Sequence, residues 1–212
     1  MDLVVYGAGG MGRELMWQLD SQNKGEFNLL GFADDSAEKI NTVINGFKVL
    51  GGTDWLLKRE EKTAVVLALG DSFVRKKVAE QLKKNDNLVF PNIISSDSIV
   101  SEFVELGEGN IICFGSIVTV NIKIGDFLLC NRSCNIGHDT IIGDYVTLNP
   151  GVILSGNVTV GECANIGTGS VVIQGKTIGN GSTVGAGAAV VRDIPDNCTA
   201  VGVPAKPIKF HG

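Results

Sequence analysis

His138 and Asp139 stand side by side in the run Asn135-Ile136-Gly137-His138-Asp139, and as a pair they are suited to moving a proton near neutral pH. A free imidazole titrates at about pH 6.5, so its neutral form is the natural base there, and an adjacent carboxylate can orient or charge-tune the ring. A surface histidine without such a neighbour is more often inert. The second histidine, His211, lies next to the C-terminus and reads as a solvated tail residue. The five cysteines (Cys113, Cys130, Cys134, Cys163, Cys198) are odd in number and form no C-x-x-C pair. They indicate neither a disulfide framework nor a zinc site, and they fit reduced thiols in the cytosol. A second group with possible chemistry is Gly7-Ala8-Gly9-Gly10-Met11-Gly12, a literal G-x-G-x-x-G between a strand-like Leu3–Tyr6 and a helical pattern over Arg13–Leu19. Asp34-Asp35 close a second strand, Asn28–Ala33, about twenty residues beyond the glycines, where an acidic side chain can meet ribose hydroxyls. The same glycines also suit a tight turn that holds no ligand.

The elements that must position His138 show a different period. Every sixth residue from Ile94 to Val190 is aliphatic at sixteen of seventeen positions, the exception being Cys130, which is small and apolar. Neither the 3.6 period of a helix nor the two of an ordinary strand accounts for six. Four residues after each aliphatic position the side chain is usually small or β-branched, as at Ser116, Thr140, Ala164 and Ser182. This is the mark of a parallel β-helix, in which stacked coils bury one another's inward side chains. Three hexads make an eighteen-residue coil, and the repeats make five to six coils, a prism on the order of 27 Å long. Such hexads wind left-handed, and the unbroken register predicts no large loop. A single histidine in the prism excludes a three-histidine zinc site, so no metal is expected.

Before the repeats the pattern adds a strand at Phe47–Leu50, a helix at Asp54–Lys58, a strand at Ala64–Leu69, a helix at Ser72–Lys84 and a strand at Leu88–Phe90. That makes half of a doubly wound sheet, which suits a mononucleotide diphosphate better than a dinucleotide. The expected architecture is an α/β half-Rossmann domain over residues 1–93, followed by an all-β left-handed parallel β-helix over 94–212. Beyond Val191, three prolines within thirteen residues (Pro195, Pro204, Pro207) predict an irregular cap or arm. Hydrophobic residues at 44% support a real core, while 6% aromatics and 28 glycines suit a β-helix. A net charge of -5 argues against a nucleic-acid surface. Met1 leads straight into a strand, so a cytoplasmic protein without signal peptide or membrane insertion is expected.

The hexads, His138-Asp139 and the tail Gly202-Val203-Pro204-Ala205-Lys206 resemble the left-handed β-helix (hexapeptide-repeat) acyltransferases. With Tyr6-Gly7-Ala8-Gly9-Gly10, Asp34-Asp35 and Leu69-Gly70-Asp71 ahead of them, nearly the whole chain is similar to one branch. These are the bacterial nucleotide-sugar N-acetyltransferases of the bacillosamine and perosamine type and the related sialic acid O-acetyltransferases. The resemblance implies a homotrimer of parallel prisms with active sites in the clefts between them, and acetyl-CoA as co-substrate. It places acetyl-CoA against Gly156, Gly167, Gly185, Pro204 and Lys206, with the thioester near His138. It places a nucleotide-linked amino sugar on Gly9, Gly10, Met11, Asp34, Asp35, Gly70 and Asn131. His138 matches the general base, Asp139 its acidic partner, and Gly156 the residue whose N–H holds the thioester oxygen. Met11 stands where many members have histidine, and a thioether is a poor hydrogen-bonding group.

The expected chemistry is direct transfer to the amine of a 4-amino-4,6-dideoxy sugar. Cys130 lies on the aliphatic track and Cys134 at an inward small position, which argues against an acyl-enzyme. An O-acetyltransferase of the sialic acid type would use the same base and donor. An NAD(P)-dependent oxidoreductase would use the glycine loop but leave the repeats unexplained. A non-catalytic β-helix scaffold would have no need of His138.

Overall fold

The computed structural model describes residues 1–22 and 25–211. They form two compact units, one of Met1–Gly70 with Val74–Asn92 and one of Asp71–Phe73 with the chain from Ile93 onward.

The N-terminal unit is built on β1 (Asp2–Tyr6), α1 (Gly10–Gln22), β2 (Asn28–Ala33), β3 (Val43–Ile44), β4 (Phe47–Gly51), α2 (Thr53–Leu57), β5 (Thr63–Leu67), α3 (Ser72–Leu82) from Val74 on, and β6 (Leu88–Val89). The sheet order is β3-β4-β2-β1-β5-β6, parallel throughout except for β3 against β4. β1 and β5 lie in the middle and are buried almost throughout, which is why they read as uninterrupted apolar runs rather than alternating ones. α1 begins three residues before the expected Arg13, because the Gly9 carbonyl already accepts the Arg13 N–H at 3.0 Å. The β3–β4 hairpin was not anticipated. Its signal is Asn45-Gly46, both with positive φ (49° and 86°), the two-residue turn whose twist suits paired strands.

From Ile93 the chain winds through three parallel sheets. Their strands begin at Ile93, Ile99 and Val104, and each returns one coil later in register: Ile111↔Leu129 in the first sheet, Ile117↔Asn135 in the second, Ile142↔Val160 in the third. Backbone N–H groups donate to the coil that follows, as from Asn135 to the Val152 carbonyl at 2.9 Å. Five coils are complete, and a bridge between Ile178 and Ile194 closes a sixth. No loop leaves the prism between Ile93 and Val190.

The hexad positions from Ile112 to Val190 are at most 4% exposed and form one continuous core. Ile94, at 40% exposure, departs from the expected inward role, and Val100 and Leu106 are only half-buried. The reason is positional: the first coil has a neighbouring coil on one side only. Corner residues take left-handed backbone conformations, among them Asn121, Asp139 and Asn157 (φ 57°, 58° and 56°), residue types that tolerate this region. Phe127 and Tyr145 do so as well, and their buried rings stack one coil apart at 5.3 Å.

The proline-rich tail is more regular than its sequence suggests. Strand Cys198–Val201 continues the first sheet, and strand Lys206–Phe210 folds back on it antiparallel. Pro207 is accommodated because that last strand is the sheet edge, where a missing N–H breaks no ladder. Replacing fully buried Ile166 by alanine should lower unfolding free energy by about 2–5 kcal/mol. Exposed Thr177→Ala should stay within about 0.5 kcal/mol, both measured by denaturant titration.

Candidate active site

His138 follows the second-sheet strand Asn135–Ile136 and opens a corner of the third complete coil. Its backbone is held on both sides: the Gly137 N–H donates to Leu154, and the His138 carbonyl accepts the Asn157 N–H at 2.7 Å. Nδ1 lies 2.8 Å from Asp139 Oδ2, with both side chains about half exposed (52% and 53%). Hydrogen bonds from His138 and then Asn121 hold the Asp139 carboxyl below the usual carboxylate range. An ionised carboxylate facing Nδ1 requires the proton on that nitrogen, so the neutral ring keeps its lone pair on Nε2. The pair is therefore a base oriented by its neighbour.

Gly156 lies one coil below in the same corner column. A Cβ on it would come within 2.4 Å of His138 Cε1 and Nε2, so the imidazole lies directly over this backbone. The Gly156 carbonyl accepts the Gly175 N–H at 3.1 Å; among the described residues, no backbone carbonyl takes the Gly156 N–H. A free N–H beneath a basic nitrogen can support an oxyanion that forms as the base acts.

The other residues singled out on the β-helix lie elsewhere in the coil. Asn131, Gly167 and Gly185 share one corner column at the opposite edge of the second sheet from His138, as the ladder bonds of Asn131 to Leu148, Gly167 to Val184 and Gly185 to Ala200 show. Gly167 and Gly185 have packing reasons of their own. A Cβ on Gly167 would meet Ala186 N at 2.5 Å, and one on Gly185 would meet Val201 at 2.7 Å. Pro204 in the tail turn and Lys206 at the start of the last strand are exposed, and the turn is fastened to the last second-sheet strand by the Ala205 N–H to the Ala189 carbonyl. Cys130 and Cys134 are fully buried, and Cys134 Sγ lies 3.2 Å from the Asn149 carbonyl. The hydrogen bond with Cys134 and burial push the Cys130 thiol up, so it does not supply a reachable thiolate.

In the N-terminal unit the glycine loop leaves β1 level with the ends of β2 and β5 (Tyr6↔Ala33 and Tyr6↔Leu67). β1 and β5 are neighbours in the sheet but not in sequence, which makes this the switch point where open α/β sheets bind ligands. Gly12 lets α1 approach: a Cβ there would fall 1.7 Å from the Gly7 carbonyl oxygen. Gly9, Gly10 and Gly70 face open space, and Met11 is half-buried in the first turn of α1. Asp34 and Asp35 are engaged internally. Asp34 accepts from the Ala8 N–H, the Ser36 N–H and Lys39, while Asp35 accepts from Tyr6, the Thr53 N–H and the Thr53 hydroxyl. Burial opposes both charges, yet these bonds bring each carboxyl below its usual range. Burial and the neighbouring Asp35 raise the Tyr6 phenol. Nothing in the spacing of Thr53 marks it, and Tyr6 stands in the glycine motif without a signal that its hydroxyl meets Asp35 and Thr53.

The described residues contain no group of three or more histidines, cysteines or carboxylates able to hold a metal. No described helix is long and apolar enough to cross a membrane.

Residues 2–82 match the family model of the PglD N-terminal domain. The acetyltransferase domain of PglB from Neisseria gonorrhoeae FA1090 shares 32% identity over 98% of this chain and 99% of that one, with a TM-score of 0.90. A variant of perosamine N-acetyltransferase from Caulobacter crescentus, solved with CoA and GDP-perosamine, shares 31% identity over 99% and 97%, TM-score 0.90. WeeI from Acinetobacter baumannii AYE shares 35% over 98% and 100%, TM-score 0.85. Comparison with curated protein sequences returned no match. Fold and relatives thus define a left-handed β-helix acyltransferase of the hexapeptide-repeat class. Within that class, the chain belongs to the nucleotide-sugar acetyltransferase family that carries a PglD-type N-terminal domain.

Because the imidazole rests on Gly156, Gly156→Ala should swing the ring off Asp139. With only two histidines in the chain, side-chain NMR of the ring nitrogens can follow this. The His138 Nδ1–H signal should shift or broaden in Gly156→Ala and in Asp139→Asn, and stay in place in Thr177→Ala.

Proposed function

We propose that this protein moves the acetyl group of acetyl-CoA onto the amine of a nucleotide-linked 4-amino-4,6-dideoxy sugar, with His138 as general base. The observation that carries the proposal is the His138 imidazole, oriented by Asp139 at 2.8 Å and seated over the free amide of Gly156. Relatives named as N-acetyltransferases, one of them solved with CoA and GDP-perosamine, support the same donor and acceptor class.

In this mechanism Nε2 of His138 takes a proton from the sugar amine as its nitrogen adds to the thioester carbon. The Gly156 N–H donates to the oxyanion, the C–S bond then breaks, and CoA leaves as thiolate, later reprotonated from the imidazolium or water. Gly9 and Gly10, at the N-terminus of α1, hold the nucleotide diphosphate through backbone N–H groups. Gly70, beside the same loop, and Met11, in the first turn of α1, border the nucleotide. Asp34 and Asp35 hold the glycine loop in shape and offer their remaining lone pairs to ribose or base. Asn131 approaches the sugar.

Acetyl-CoA runs along Gly156, Gly167 and Gly185 to Pro204 and Lys206, whose ammonium meets phosphate. Those residues occupy two different edges of the second sheet in one prism. A homotrimer, in which an edge of one prism faces an edge of the next, would bring the two sets into one cleft. Support for trimerisation comes from the outward second-sheet column between those edges, where Ile99, Ile117 and Ile153 are 65%, 38% and 41% exposed. Buried thiols and the absence of a membrane-crossing helix among the described residues are compatible with a cytoplasmic enzyme.

Incubation with acetyl-CoA and UDP-, dTDP- or GDP-linked 4-amino-4,6-dideoxy sugars should release thiol with at least one of them. Release only with hydroxyl acceptors would replace the amine in this proposal. His138→Ala should lower kcat by about 10²–10⁴-fold with little change in acetyl-CoA affinity; an unchanged kcat would remove His138 from the mechanism.

A further inference from the structure

We propose that Asn121 is a positioning residue for the reaction, acting through Asp139 on the His138 imidazole. The proposal rests on the reading of His138 as base. Asn121 lies eighteen residues before Asp139, one coil above it in the same corner column, and its Nδ2 donates to Asp139 Oδ1 at 3.3 Å. His138 holds the other oxygen, Oδ2, at 2.8 Å. The carboxylate is thus engaged from two directions, one oxygen by the base and one by the coil above, which fixes its plane and with it the plane of the ring.

The need for a second anchor follows from exposure. Asp139 and His138 are both half exposed, so water competes for each oxygen, and a carboxylate held at one end only can rotate away from the ring. Among the described residues, the column supplies no other partner. Below Asp139, Asn157 Nδ2 lies 4.0 Å from where a Cβ on Gly175 would stand. The facing corner residues Thr119, Val120, Ser155 and Gly156 do not titrate, and on the adjoining sheet Lys123 pairs with Glu105 at 3.4 Å. His138 is the charge partner of Asp139, and Asn121 is its other hydrogen-bond donor.

The simpler account of Asn121 is its left-handed backbone, φ 57°, a region that asparagine tolerates. Two substitutions separate the accounts, because glycine and aspartate also accept that conformation. Asn121→Gly removes the amide and keeps the turn. Asn121→Asp keeps the shape and sets a carboxylate against Asp139.

Steady-state kinetics with the full-length protein, acetyl-CoA and the accepted amino sugar, alongside His138→Ala, give the test. Asn121→Gly should lower kcat about tenfold, the scale of one hydrogen bond to a charged group, with KM for acetyl-CoA within twofold and an unchanged melting temperature. In Asn121→Asp the acid limb of kcat/KM should move to higher pH, because added negative charge stabilises the imidazolium and delays release of the base. Wild-type kcat in Asn121→Gly, or an unmoved acid limb in Asn121→Asp, overturns the proposal, as does a loss of kcat matched by a fall in melting temperature. If His138→Ala keeps full kcat, the base assignment fails instead; a dead His138→Ala beside wild-type Asn121 variants condemns the positioning role alone.

Discussion

The constraint on which the rest of the β-helix depends is that residues eighteen apart stack one coil apart. An inward aliphatic side chain cannot be buried by its own coil; it needs the coils above and below, whose parallel backbone ladder holds them in place. The same constraint sets what lies at each corner. Once Ile136 is fixed on the axis, His138 must project two residues later at the corner, over whatever residue occupies position 156, and under whatever occupies position 120. Gly156 in that column and Asn121 in the next one are therefore neighbours of the dyad through the repeat, with no local sequence contact.

The two units use charge differently. In the N-terminal unit, Asp34 and Asp35 each accept three hydrogen bonds from within the unit, shaping the glycine loop and the turn before α2. A Cβ on Gly9 or Gly10 would meet nothing within 4 Å, so no side chain crowds that loop at the start of α1. Backbone N–H groups at a helix start suit an anion irrespective of the base attached to it. On the β-helix the polar pair is half exposed, and among the described residues no hydrogen bond reaches the Nε2 of the imidazole.

Much of this was legible in the residues. The six-residue period placed every inward position from Ile112 to Val190, because apolar burial at a fixed spacing admits one winding. Strand Asn28–Ala33 has the boundaries its apolar run suggests, and the central strands differ from expectation by a residue or two at their ends. The tail is a strand pair rather than an irregular arm because proline rules out interior ladder positions and leaves the edge open; Pro207 sits on such an edge. Ile94 departs from the inward role because a repeat says nothing about where the stack ends, and the first coil lacks a neighbouring coil on one side.

The site divides along the same line. His138 beside Asp139 is a covalent neighbourhood, so the sequence alone determines that an imidazole and a carboxylate are available together. It also determines the fold class, since hexad periodicity is a local record of which face each residue buries. What tertiary structure decided is the company they keep: the imidazole over Gly156, the Asn121 amide on the far oxygen of Asp139, and Asp34 and Asp35 engaged by Ala8, Ser36, Lys39, Tyr6 and Thr53. Hydrogen bonds between coils and across strands depend on angles and distances of closest approach, and those come into being only when the chain has wound.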